Sequence, residues 1–195
     1  MINNTIKYIA LLTFFITSSV FGQNTEADKK LVSKKDKTLL VKSDSVAVLE
    51  VKKKAAAQEK AGLPKPYHPE ENAEEKIAEL LKKAQDENKN IIIQAGGNWC
   101  IWCLRFNDFV LKTPELQNII DENYLYYHLN WSPENKNEKI FAKYGNPGEK
   151  FGYPVFIILD KNGKQIHTQD SAVLEEGKGY SLQKTKDFFN NWLPK

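Results

Sequence analysis

The sequence predicts an α/β domain, a central mixed sheet flanked by helices, and three observations carry that expectation. Stretches with helical apolar spacing alternate with short runs of β-branched and aromatic residues. Two of those runs, "YPVFIILD" and "KQIHTQ", are joined by "KNGK", a tight-turn sequence that makes them an antiparallel hairpin. The earlier runs are separated by helical segments, the crossover that parallel strands require.

Taken in order, "EENAEEKIAELLKKAQDENK" places Ala73, Ile77, Leu80, Leu81 and Ala84 on one face, with acidic residues early and lysines later, as the helix dipole favours. "NIIIQA" follows as a buried strand. Cys103 to Val110 reads as helix, and "TPELQNIIDEN" as its continuation or a second piece, with Thr113 as N-cap and Pro114 at the first helical position. "YLYYHLN" is a strand, and "SPENKNEKIFAKYG" repeats the cap-plus-proline signal with Ser132 and Pro133 before ending at Gly145. After the hairpin, "DSAVLEEGKGYS" is a long loop and "SLQKTKDFFNNWL" a closing helix with Leu182, Phe188, Phe189 and Trp192 available for packing.

Upstream of this domain, assigned to residues 67–195, the chain has two other parts. Residues 1–22 combine a weakly basic start at Lys7, an apolar run from Ile9 to Ile16 and small residues before Gly22, the pattern of a cleaved secretory signal. The run is broken by Thr13 and Thr17 and falls short of the ~20 apolar residues of a membrane span. No cysteine lies near the cleavage site to take a lipid. Residues 23–66 form a basic, flexible arm rich in Lys, Ser and Ala, too poor in apolar surface to offset the cost of ordering. Within it, "KTLLVKSDSVAVLEVKK" is compatible with a strand or a short helix. The protein is therefore expected to be secreted, in a periplasm-like space where disulfides persist. A net charge of +3 on 195 residues gives no reason to expect nucleic acid as a partner.

Both cysteines of the chain lie in "GGNWCIWCLRF", at the junction of strand and helix. A staple closing so short a loop would stabilise by roughly 2 kcal/mol, against about 4.7 for a 100-residue loop. A zinc site takes four ligands, and His68, His128 and His167 stand at no ligand spacing from the pair, so no metal is expected. A reactive dithiol fits better, because a helix N-terminus stabilises the thiolate that attacks. Cys100 is placed to attack, and Cys103, in the first helical turn, to resolve the mixed disulfide.

The "WCIWC" after an apolar strand, with "GYPVFIILDKNGK" downstream, resembles the thioredoxin superfamily over about Glu70 to Lys195. Within it, the long first helix, "TPEL" and "EEGKGYS" look most like small secreted proteins related to the C-terminal domain of thiol:disulfide interchange proteins. The resemblance implies a thioredoxin-like fold, a cis Pro154 beside the dithiol, and substrate pairing through the backbone of Tyr153. It also implies a secreted thiol:disulfide oxidoreductase acting on protein thiols and disulfides, without a cofactor, with a second protein as redox partner and no stable membrane insertion. A thioredoxin-fold binding module, chaperone-like or delivering metal, is the alternative.

Two departures bear on the chemistry. The buried aspartate of thioredoxins is replaced by Gln94, which cannot act as a base. His128, at the family's lysine position on the third strand, is a candidate for assisting deprotonation of Cys103, with a structural histidine as the alternative. Ile101 and Trp102 direct no cation or donor at the thiolate, so a reducing or isomerising couple is expected. Trp102 is assigned to substrate contact and Trp99 to packing under the active-site loop, while Arg105 reads as a solvated charge.

Overall fold

A computed structural model describes residues 48–195, so the signal segment and most of the arm lie outside the described residues. The chain divides into two units, Met1–Lys53 and Lys54–Lys195. Of the first, the described residues 48–53 are helical. Residues 48–62 as a whole are helical (α1) in a stretch read from sequence mainly as a flexible arm, and the run "AAAQEKA" explains this, since Ala, Gln, Glu and Lys are strong helix formers.

The second unit is built around one four-stranded sheet. Helix α2 (Ala73–Glu87) leads into β1 (Asn90–Gly96), α3 (Ile101–Leu111), α4 (Pro114–Asn123) and β2 (Tyr124–Asn130). Two short helices, α5 (Glu138–Lys143) and α6 (Pro147–Phe151), precede the hairpin β3 (Val155–Leu159) and β4 (Gln165–Asp170). A 3-10 turn at Ser171–Leu174 and the two-residue strands β5 (Glu175–Glu176) and β6 (Gly179–Tyr180) then lead to α7 (Leu182–Asn191). The strand order is β2-β1-β3-β4. β1 runs parallel to β2 and antiparallel to β3, and β3 and β4 are antiparallel, which makes the sheet mixed, as the connections require.

Local chemistry sets the ends of the elements. Asn72 caps α2 by accepting from the amides of Glu74 and Glu75, and Asn88 ends it in the left-handed region at φ 53°. Thr113 and Pro114 split the predicted helix into α3 and α4. The helix expected from Ser132 starts instead at Glu138. Asn130 donates to the Asn135 carbonyl, and Asn137 donates to the Asn130 carbonyl, so residues 131–137 fold as a loop around side-chain amides rather than a helical turn.

Because β1 is central, its residues are buried on both faces. Ile91 and Ile93 pack with α2 and α5 residues, including Ile77 and Phe141, on one side. Ile92 lies on the other, with Phe106 of α3, Leu116 of α4 and Phe188 and Phe189 of α7. Phe106 anchors the active-site helix: its ring centroid lies 4.5 Å from that of Phe156 and 4.8 Å from that of Tyr180. Phe106→Ala should lower the unfolding free energy by about 3–5 kcal/mol, measured by urea denaturation.

Candidate functional site

Strand β1 ends at Gly96, four residues before Cys100, and Cys100 is the N-cap of α3. Its extended backbone turns the chain from sheet into helix, and its Sγ accepts from the Cys103 amide at 3.2 Å. The two cysteines are joined as a disulfide with Cα atoms 5.3 Å apart. Cys103 is fully enclosed, whereas Cys100 retains a 7% exposed edge, so Cys100 is the more accessible sulfur.

The Tyr153–Pro154 peptide is cis, as the resemblance implies. The Tyr153 carbonyl oxygen lies 3.5 Å from Cys100 Sγ. Tyr153 thus stands beside the more accessible sulfur, with its ring edge-on to Trp99 at 5.7 Å and stacked on Trp131 at 6.2 Å.

Beneath the dithiol lies a polar arrangement that sequence reading did not anticipate. Gln94 is wholly buried, and its Nε2 donates to the Tyr67 hydroxyl at 2.7 Å and to the Cys103 carbonyl at 3.1 Å. Its Oε1 accepts from the Tyr126 hydroxyl at 2.7 Å. Tyr67 packs directly against both cysteines. Asn98 holds it there, donating to the Tyr67 carbonyl at 2.7 Å and accepting from the Tyr67 amide at 3.2 Å. Burial pushes the Tyr67 phenol well above its ordinary range, so it remains protonated. The signal for Asn98 was present in "GGNWC", but its partner sits 31 residues upstream, beyond the reach of a local pattern.

No hydrogen bond joins His128 to Cys103 among the described residues. His128 pairs in register with Gln94 on the neighbouring strand, its ring lying between those of Tyr67 and Tyr126 at 5.2 and 5.1 Å. It lines a cleft of about 340 Å³ with Asn107, Val110 and Tyr126, and neither cysteine lines that cleft. Its Nε2 has no hydrogen-bond partner among the described residues. Burial, assisted by the charge of His68, lowers its pKa to about 4, which makes it a weak base near neutrality.

The expectations for Trp99 and Arg105 are corrected. Trp99, assigned to packing, is 48% exposed; its indole donates to the Trp131 carbonyl at 2.6 Å and leaves a ring face open. Trp102, assigned to substrate contact, is half-buried and edge-on to Tyr180 at 5.7 Å, because its place in the first turn of α3 aims it at the β6 side. Arg105 is not a free surface charge: it makes a two-pronged pair with Glu59 of α1 at 2.7 and 2.8 Å and covers the Trp102 ring at 5.0 Å. Lys60, next to Glu59, donates to the Trp99 carbonyl at 2.6 Å, so the end of α1 borders the active-site loop. Among the described residues, no cluster of three or more His, Cys, Asp or Glu side chains is placed to hold a metal ion.

This sheet order, with a dithiol at the mouth of α3 beside a cis proline, defines a thioredoxin-like domain. Residues 72–161 match the thioredoxin-like family model. It is 27% identical over 104 residues to the disulfide bond reductase DsbH of Chlamydia pneumoniae, a match covering 47% of this chain and 58% of that protein. The chain thus spans less than two thirds of that relative's length. A crystal structure of a disulphide isomerase from Xylella fastidiosa Temecula1 shares the fold with a TM-score of 0.58 at 22% identity, over 67% of this chain and 98% of that one. The C-terminal domain of DsbD from Neisseria meningitidis, in its oxidised form, aligns with a TM-score of 0.44 at 17% identity, over 62% of this chain and 97% of that one.

The depressed pKa of His128 has a consequence for stability. Between its ordinary value of 6.5 and about 4 the unfolded chain binds a proton that the folded chain refuses. This contribution to stability is present above that window and is lost as pH falls through it. In His128→Gln, the decline of unfolding free energy across pH 6.5 to 4 should be shallower by up to about 1.4 kcal/mol per pH unit, read by denaturant titration at several pH values.

Proposed function

We propose that this protein is a secreted thiol:disulfide oxidoreductase that exchanges disulfides with protein substrates through Cys100 and Cys103. The observation that carries the reading is the pair itself: a sulfur at a helix N-cap with an exposed edge, a second sulfur sealed behind it, and a backbone carbonyl 3.5 Å from the first. The names of the relatives support it, one being called a disulfide bond reductase and another a disulphide isomerase.

In the reducing direction the Cys100 thiolate attacks one sulfur of a substrate disulfide. A Cys100–substrate bond forms, the substrate disulfide breaks, and the first substrate thiolate leaves. Cys103, as thiolate, then attacks Cys100 Sγ, forming the internal disulfide and releasing the second substrate thiolate. The two protons given up by the cysteines are balanced by the two that the substrate thiolates take from solvent. The amide of Cys103, already directed at Cys100 Sγ, stabilises the thiolate charge there before the attack.

Substrate docks as an extended segment against the Tyr153–Pro154 backbone. The open face of Trp99 and the part-exposed edges of Trp102 and Tyr153 supply an apolar rim. A donor protein of matching thiol chemistry returns electrons to the disulfide, and export under the 1–22 signal places the exchange in the periplasm.

Replacing Cys103 with Ala should make mixed disulfides accumulate at Cys100 when the protein meets disulfide-containing polypeptides, detected as reductant-sensitive adducts by mass spectrometry. Absence of any Cys100 adduct would remove the exchange reading. With Ile101 and Trp102 between the cysteines, no cation stabilises the Cys100 thiolate from within the motif, which supports a reducing or isomerising role. Equilibration with glutathione should give a potential below about −150 mV, nearer the roughly −270 of thioredoxin than the −120 of strong oxidants.

A further inference from the structure

Gln94 is fixed in orientation by its neighbours. The Cys103 carbonyl can only accept, so the Gln94 atom facing it is the amide nitrogen, and the oxygen therefore faces Tyr126. An amide nitrogen only donates, so the Tyr67 hydroxyl must accept from Gln94 and keep its own proton for another partner. No acceptor for that proton appears among the hydrogen bonds of the described residues. Across from it is the Cys103 sulfur, which is tied up in the disulfide here and makes no hydrogen bond with Tyr67: a methyl group at Gly96 would stand 2.5 Å from Cys103 Sγ and 2.8 Å from the Tyr67 oxygen, so the two atoms flank the same space, left open by glycine.

We propose that the Tyr67 hydroxyl donates a hydrogen bond to the Cys103 sulfur and holds that sulfur, in the reduced protein, as a thiolate ready to resolve the mixed disulfide. This rests on the exchange reading above and deepens it. Tyr67 does by donation what a buried carboxylate does by accepting a proton, and Gln94 is the positioning residue that aims it. No proton moves from Tyr67. In the resolving step the Cys103–Cys100 bond forms as the Cys100–substrate bond breaks, and the electron pair departs on the substrate sulfur.

The surroundings leave the donor unopposed. The titratable groups facing the pair are Cys100 on α3, Tyr126 and His128 on β2, Tyr153 before β3 and Tyr180 on β6. No carboxylate or ammonium is among them. Arg105 is taken up by Glu59 and Lys60 by the Trp99 carbonyl, while His68, next to Tyr67 in the chain, is exposed and paired with Glu70. Tyr67 stays protonated through the whole titration range of a thiol because burial raises its pKa.

The test reads the Cys103 thiolate directly, in a full chain carrying Cys100→Ser, by absorbance at ~240 nm and by the pH dependence of iodoacetamide alkylation. Adding Tyr67→Phe, which removes one oxygen and keeps the ring, should move the midpoint up by about one pH unit, with alkylation below the midpoint about tenfold slower, the size of a hydrogen bond to a charged group. Site-specific 3-fluorotyrosine at position 67, a stronger donor of nearly the same size, should move the midpoint down, and it serves as the deciding variant if Tyr67→Phe does not fold. A midpoint unchanged in the folded Phe variant, or unmoved by fluorination, would overturn the inference. Because the thiolate is read without substrate, that result is separate from the Cys100 trapping result, on which the exchange reading stands or falls.

Discussion

The site depends on one buried side chain with every polar atom satisfied. Gln94 stands where β1 passes beneath the dithiol, and it ties together three segments: the stretch before α2 through Tyr67, the first turn of α3 through the Cys103 carbonyl, and β2 through Tyr126. A buried amide left unpaired would cost about 1–3 kcal/mol, so its bonds fix where the helix sits relative to the sheet. That placement sets the depth of Cys103 and leaves Cys100 as the more exposed sulfur.

The packing on either side of the sheet serves the same end. Phe106 locks α3 onto Phe156 and Tyr180, and Asn98 clamps the Tyr67 backbone from above. The resulting pocket around the sulfurs is aromatic and poor in charge. In such surroundings a neutral donor is a stronger influence than it would be in water, since the effective dielectric is low. Gln94 cannot serve as a base, and on the inference above the support of the second sulfur falls to a hydrogen bond from Tyr67 instead.

Much of this was legible in the sequence because its causes are local. The β-branched run before Cys100, the proline after Thr113, the "KNGK" turn and the Gly-x-Pro ahead of β3 each constrain their own backbone, and each element falls where those residues put it. The misreadings share another cause. Ser132 looked like a cap, but three asparagines compete for the same backbone groups. Trp99 looked like a packing residue, but the turn into α3 leaves its ring 48% exposed. Arg105 looked solvated until Glu59 was found opposite it, 46 residues away. Tyr67 carried no signal at all, because its function lies wholly in partners from β1 and the active-site loop.

The Asn98–Tyr67 clamp also changes what counts as the domain. The region shared with the family begins at residue 72, yet the aromatic ring that seals the sulfurs enters from residue 67, and the ion pair beside them comes from residue 59. The heritable module and the working chemical unit thus have different edges. A fragment begun at residue 72 would keep all four strands of the sheet and the helices from α2 onward, yet lose the ring packed against both sulfurs.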